Sequence, residues 1–329
     1  MITRRRLLCV LGAGALTSTL TSHAQPQNKI WRVGILRTGS PPDYAVEAIT
    51  EGLRELGYVE GKNISTELRF AHGDMARLPA LAAELVQLKV DVIFAPNTPA
   101  VEAAKQVTGT IPILFCVVGE PVGSGFVSSL ARPGGNMTGL TIMAPEAGAK
   151  RLQLLKDTSP RSSRVAMFRQ LASIETASNA LQVEELQRAA KVLGMELLPT
   201  QLGRREEFKQ ELELLRKWRA DSIYITEHPT NWNNRKLLVE FAAAARLPAV
   251  YPSKEYTEAG GLMSYGPNYA VLCRRTATYA DKILKGAKPG DLPVEQPTIF
   301  DLVINMNTVK ALGITMPQSV LLQATRVIE

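Results

Sequence analysis

The chain has 329 residues, 45% hydrophobic and 21% charged, an ordinary globular composition that excludes a disordered protein and suits two domains better than one core. Its net charge of +7 includes three arginines close to the N-terminus; without them +4 remains, too small and too scattered to argue for nucleic acid as a partner.

Residues 1–24 read as an export signal and stand apart from the fold. Arg4, Arg5 and Arg6 form a positive start, Leu7 to Leu20 an apolar stretch, and Ser22-His23-Ala24 a small-residue pattern that places cleavage after Ala24. The apolar stretch is shorter than the roughly 20 residues that span a bilayer, so a retained anchor is the weaker reading. Thr3 to Leu8 also resembles a twin-arginine signal, with an ordinary secretory signal as the alternative. Cys9 lies too early to be a lipoprotein cysteine, and the mature protein is expected free in the periplasm.

Beyond the signal, Trp31 to Leu36 reads as a short buried strand, followed by a helix from about Ala45 to Leu56 that Gly57 closes. A strand near Asn63 to Phe70, a helix from Ala76 to Leu88, a strand from Val90 to Ala95, a short helix from Ala100 to Val107 and a strand from Ile111 to Val118 come next. The same rhythm then returns. Arg164 to Phe168 is a strand, Ala177 to Leu193 a helix capped by Gly194, Met195 to Thr200 a strand, Glu206 to Trp218 a helix and Asp221 to Thr226 a strand. A helix around Arg235 to Arg246 leads to Leu247 to Tyr251, the counterpart of Ile111 to Phe115. Gly260 to Gly266, a helix from Tyr269 to Leu284 and a strand from Thr298 to Asn305 are left over, and predict a chain that revisits the first lobe and then the second.

This alternation predicts an α/β protein of two Rossmann-like lobes with parallel sheets, each covered on both faces and joined by a hinge of several crossings. Ligand sites in such sheets lie beyond the carboxyl ends of the strands, so a cleft shared by two such edges is the expected binding site. Strand-end positions supply the candidates: Thr38, Ser40, Asn97, Thr98 and Glu120 in the first lobe, Arg169, Glu227, His228 and Tyr251 in the second, and Ser264 and Tyr265 in the left-over strand Gly260 to Gly266. Thr98, before Pro99, reads as a helix N-cap whose free amides bind a ligand carboxylate, or as a cap and nothing more. Glu120 suits a ligand ammonium or a salt bridge across the hinge. Tyr251, Tyr265 and Trp232 suit aromatic walls, with core packing the simpler reading of each. His228 beside Glu227 has no nucleophile that the sequence places next to it, so catalysis is not expected. Cys116 and Cys273 are free to pair in an oxidising compartment, but their apolar surroundings favour two buried thiols. Gly12-Ala13-Gly14 lies within the signal, and Arg132 to Asn136 lacks the Lys-Ser/Thr end of a phosphate loop, so no nucleotide cofactor is expected.

Several segments carry more than a pattern: GLRELGYVEGKNI (Gly52 to Ile64), RLPALAAELVQLKVDVI (Arg77 to Ile93), TPAVEAAKQVTGTIPI (Thr98 to Ile113), VGEPVGSGFVSSLARPGGNMTGL (Val118 to Leu140), YTEAGGLMSYGP (Tyr256 to Pro267) and KILKGAKPGDLPVEQPT (Lys282 to Thr298). They resemble the substrate-binding proteins of an ABC transporter family, similar in fold to type I periplasmic binding proteins and including members that take aromatic amino acids. The resemblance implies three crossings, near Met143, Glu258 and Thr298, hence one lobe of residues 30–143 and 258–297 and another of 144–257 and 298–329. It also implies a monomer that hands a small amino acid-like ligand to a permease and ATPase, without cofactor and without chemistry. A subunit that presents its ligand to a membrane receptor, or an exported enzyme, is the alternative. This chain departs from the family at Arg169 to Ser173, where an Asn-Pro-rich loop is usual, and at Glu227 to Trp232, where a Phe-rich one is.

Overall fold

The computed structural model describes residues 29–169 and 177–329. The expected signal and its cleavage site, and positions 170–173 of the loop after Arg169, lie outside the described residues.

The first lobe is built from β1 (Trp31–Arg37), α1 (Tyr44–Glu55), β2 (Ile64–Phe70), α2 (Leu78–Gln87), β3 (Val92–Phe94), α3 (Thr98–Val107), β4 (Ile113–Val118) and β5 (Met137–Thr141). Its five strands run parallel in the order β2-β1-β3-β4-β5. The second lobe begins with α4 (Ala144–Thr158), β6 (Arg164–Phe168), α5 (Ala177–Val192), β7 (Glu196–Thr200), α6 (Phe208–Trp218), β8 (Ser222–Ile225), α7 (Pro229–Asn233), α8 (Arg235–Ala245), β9 (Ala249–Tyr251), α9 (Lys254–Glu258) and β10 (Met263–Gly266). The chain then returns to the first lobe as α10 (Tyr269–Leu284), which packs on α1 and β4, before ending in the second lobe with β11 (Asp301–Asn305), α11 (Met306–Leu312), α12 (Gln318–Leu321) and β12 (Arg326–Ile328). The second sheet has seven strands in the order β12-β11-β10-β9-β8-β6-β7.

Central strands such as β1, β3 and β8 are buried on both faces, which is why they read as unbroken apolar runs rather than alternating ones. Each sheet accordingly carries two core layers. In the first lobe Ile49, Leu53, Leu272 and Ala277 of α1 and α10 pack on one face, and Leu81, Leu85, Val101 and Ala104 of α2 and α3 on the other. In the second, Leu152, Leu155 and Leu186 of α4 and α5 oppose Leu215, Leu238 and Phe241 of α6 and α8. Asp43 caps α1 by accepting from the amides of Ala45 and Val46, and Gly57 follows the helix in the left-handed region at φ +86°, where glycine is unstrained.

Four features differ from the expectation. β5 follows a turn-rich segment that masked it in the sequence, yet it completes the first sheet. The second sheet is not wholly parallel, because β10 and β11 pair antiparallel. β10, allotted to the first lobe, pairs with β9 and β11 instead, so the second crossing lies after Gly266 rather than near Glu258. Its Met263 is fully buried among second-lobe side chains, which is the packing reason for that allegiance. Finally, Cys116 and Cys273 are joined, with S–S 2.10 Å and Cα–Cα 5.0 Å, rather than free. Apolar surroundings did not oppose the bond, because α10 lies against β4 and brings the two thiols together inside one core.

Candidate ligand-binding site

The carboxyl ends of the two sheets face a shared cleft, a cavity of about 1360 Å³ lined from both lobes. Of the candidate positions, Thr38, Ser40, Asn97, Thr98, Glu120, Glu227 and His228 line it. Tyr251, Ser264, Tyr265 and Arg169 are not part of that lining among the described residues. Tyr251 and Ser264 are ladder partners inside the second sheet, each 1% exposed, so the layers above and below cover them. Tyr265 stacks on Phe300 at 5.4 Å between centroids, and the Arg169 amide extends the β6–β7 ladder by donating to the Thr200 carbonyl.

In the first lobe, a buried ion pair forms the floor. Arg37 Nε donates to Asp43 at 2.9 Å, and the guanidinium carbon sits 5.6 Å from the Tyr44 ring. Burial above all pushes the Tyr44 hydroxyl up to about 12; Arg37 pulls against it, while Asp43 and, from the other lobe, Glu255 push the same way. The amide of Asn97 donates to the Thr38 hydroxyl at 3.1 Å, and its oxygen accepts from the Ala100 N–H. Asn97, not Thr98, is therefore the cap of α3. Pro99 has no N–H, Ala100 is taken by the cap and Val101 donates to the Asn97 carbonyl, so little of the helix start is left for an anion. At the rim Ser40 Oγ and His72 Nδ1 are 2.9 Å apart, both on exposed loops. Glu120 makes no ion pair among the described residues; burial, then Glu146, then Glu185 raise its carboxyl above the ordinary range, opposed by the Gly123 amide.

In the second lobe, Glu227 is held by Arg151 of α4 and accepts from Gln182 Nε2 at 2.6 Å. Arg151 is completely buried and spends its other donors on the Tyr224 hydroxyl and the Tyr265 carbonyl, both at 3.0 Å. Burial works against its charge, but Glu227 and Tyr224 outweigh it and raise the guanidinium further. Gly266 follows Tyr265 at the second crossing, where a Cβ would lie 2.0 Å from the Pro252 carbonyl oxygen, so no larger residue fits.

His228 caps the short α7, its Nδ1 accepting from the Thr230 N–H at 3.1 Å. Burial lowers its pKa from 6.5 to about 4, so the ring is neutral at pH 7 and a weak base. The unfolded chain takes that proton first, so stability is full above about pH 6.5 and falls as the pH drops towards 4, by up to about 3 kcal/mol. Urea midpoints at successive pH values should show the wild type losing stability relative to His228→Gln across that window. Parallel profiles would mean that the histidine does not titrate there in this way.

Between the lobes lies an aromatic cluster. Trp232 of α7 stands 4.9 Å from Tyr44 and 5.9 Å from Tyr269, both of the first lobe, and 6.3 Å from Tyr256 of its own. It belongs to the margins of both cores and so fastens one lobe to the other. Arg37, which opens the strand-end loop of Thr38 and Ser40, lines the cleft too, as do Asp43, Tyr44, Gln182, Glu255, Tyr256 and Tyr269, which were not singled out from the sequence. Asp43 and Arg37 alone carried a signal: an acid just before a helix, and a charge at the end of an apolar strand.

Residues 38–328 match the model of the ABC transporter substrate binding protein family. The chain belongs to that family. Its fold is that of type I periplasmic binding proteins, and it is a substrate-binding protein of the ABC transporter type. It is 27% identical over 328 residues, 95% of this chain and 93% of the relative, to a tyrosine-binding protein of Clostridioides difficile. Among solved structures it is similar to an ABC domain in complex with L-Trp from Streptococcus pneumoniae, at 25% identity and TM-score 0.82, covering 91% of this chain and 100% of that one. A ligand-free, open substrate binding protein with adhesive properties from Clostridium difficile matches at 26% identity over 91% of this chain and 99% of that one, but at a TM-score of 0.65.

Proposed function

We propose that this protein is the periplasmic binding component of an ABC importer, capturing an amino acid with an aromatic side chain and passing it, as a monomer, to a permease and ATPase. The observation that carries the ligand class is the aromatic cluster of Tyr44, Trp232, Tyr256 and Tyr269 beside charged groups of both signs in one cleft. Rigid aromatic faces supply large contact area for a ring, and a few placed charges fix its polar end. The relatives named for tyrosine and for L-Trp support the same class. Among the described residues no helix is long and apolar enough to cross a membrane, and residues 1–24 read as a signal, which supports an exported chain. Ser40 and His72 pair only on exposed loops at the rim, His228 is neutral and the family is one of substrate-binding proteins, so binding without chemistry is the reading adopted.

The test is thermal unfolding with each of the proteinogenic amino acids. A ligand at a thousand times its Kd stabilises the native state by about 4 kcal/mol. Phenylalanine, tyrosine or tryptophan is expected to raise the melting temperature, with glycine and glutamate inert. A response confined to sugars or to non-aromatic acids would overturn the ligand class.

A further inference from the structure

Two polar atoms of residues that line the cleft are buried and make no hydrogen bond: Arg37 Nη1 in the first lobe and Glu255 Oε2 in the second. Arg37 is only 4% exposed, and although Asp43 takes its Nε and the Tyr44 hydroxyl lies against the same guanidinium, Nη1 has no partner. Glu255 sits in the first turn of α9, beside Tyr256 of the aromatic cluster, and makes no ion pair among the described residues. Buried polar groups are normally satisfied, and a charged one left without a partner is costly, so each such atom calls for an explanation. Here the two orphans carry opposite charge, come from opposite lobes and belong to residues that line the same cavity.

We propose that Arg37 and Glu255 are the two jaws of a charge clamp for a zwitterion: Arg37 takes the ligand carboxylate from the first lobe, and Glu255 takes its ammonium from the second. This rests on the reading of the cleft as an amino acid site and deepens it by assigning each end of the ligand to a residue. The assignment moves the carboxylate away from the start of α3, whose amides are largely committed, and the ammonium away from Glu120, which has Glu146 as a like-charged neighbour. Arg37 is suited to the task because Asp43 fixes the guanidinium from one side and itself caps α1, so the free donor is held rigidly. Because one jaw lies on each lobe, only a ligand carrying both charges completes both pairs at once. Such differential contact is what shifts an open and closed equilibrium towards closure.

The experiment is calorimetric titration of the mature protein with matched probes: L-tyrosine, tyramine, which lacks the carboxylate, and 3-(4-hydroxyphenyl)propionate, which lacks the ammonium, together with L-tryptophan and its two corresponding half-analogues. Wild type should bind one of the amino acids, and each of its half-analogues about 10- to 100-fold more weakly, the span of a hydrogen bond to a charged group. Arg37→Gln should weaken the amino acid by that factor while leaving the amine probe unchanged, and Glu255→Gln should weaken it while leaving the acid probe unchanged. Retained binding of the matching half-analogue shows that each variant is folded. As an independent readout, Glu255→Gln should not lower the melting temperature of the ligand-free protein, yet should shrink the shift that the amino acid produces. If wild type binds neither amino acid, the ligand class falls and the clamp with it. If wild type binds an amino acid and the variants rank the probes as wild type does, the clamp alone is overturned, and ordered water is the partner of both atoms.

Discussion

Replacing Arg151 by methionine is expected to cost about 3–5 kcal/mol of stability, the loss seen when one member of a buried ion pair is removed and the other stays. The side chain is completely enclosed, and three of its nitrogens have partners: Tyr224, the Tyr265 carbonyl and Glu227. Methionine fills a similar volume but leaves the Glu227 carboxylate with Gln182 as its one remaining hydrogen-bond partner among the described residues. The double replacement Arg151→Met with Glu227→Leu should recover most of the loss, because an apolar pair of similar shape needs no desolvation of charge. Urea unfolding followed by circular dichroism measures both. A single variant within about 1 kcal/mol of wild type, well below that range, would show that the pair is not structurally important. Function should suffer as well. Arg151 joins α4, just past the first crossing, to the Tyr265 carbonyl, just before the second, and to a carboxylate in the cleft. Loosening it frees the hinge and the site together.

Cutting the bond between Cys116 and Cys273 is the second large effect. The bond closes a loop spanning 157 residues, which contains the entire second lobe apart from its C-terminal part. The chain-entropy account assigns about 5 kcal/mol to a loop of that length, and native disulfides typically contribute about 2–5 kcal/mol. The double serine variant, or wild type under reductant, should therefore melt well below the oxidised protein, with the first lobe affected most since both sulfurs lie in its core. Peptide mapping without reductant should recover the linked pair. Two singly alkylated cysteines in the exported protein would refute the bond. The periplasm proposed for this chain is a compartment in which such bonds persist.

The parts of this molecule that were legible in the sequence are those governed by short windows of chain. Arg164–Phe168 was readable to the residue because a buried parallel strand is an unbroken apolar run, and the ends of the helices before Gly57 and Gly194 because both glycines adopt the left-handed turn that stops a helix. The position of the cleft was legible for the same reason. Once strands and helices alternate, the strand carboxyl ends are known, and Thr38, Asn97, Glu120, Glu227 and His228 stand on them. Tyr251, Ser264 and Tyr265 were assigned to the same edge, but whether the last residue of a strand emerges into a cleft depends on the neighbouring strand and the layer above it.

Arg151 looks like any arginine of a surface helix until α4 is laid against β9 and β10, and Glu255 looks like a solvent-facing acid until α9 sets it in the wall of the cleft. Cys116 and Cys273 become partners only when α10 crosses back onto β4. Secondary structure and its order along the chain follow from local sterics, capping and hydrophobic period, and these are written into neighbouring residues. Burial, pairing of distant charges and membership of a lobe depend on contacts between residues far apart in the chain, 76 positions for Arg151 and Glu227 and 157 for the two cysteines, and those exist only after the chain has packed.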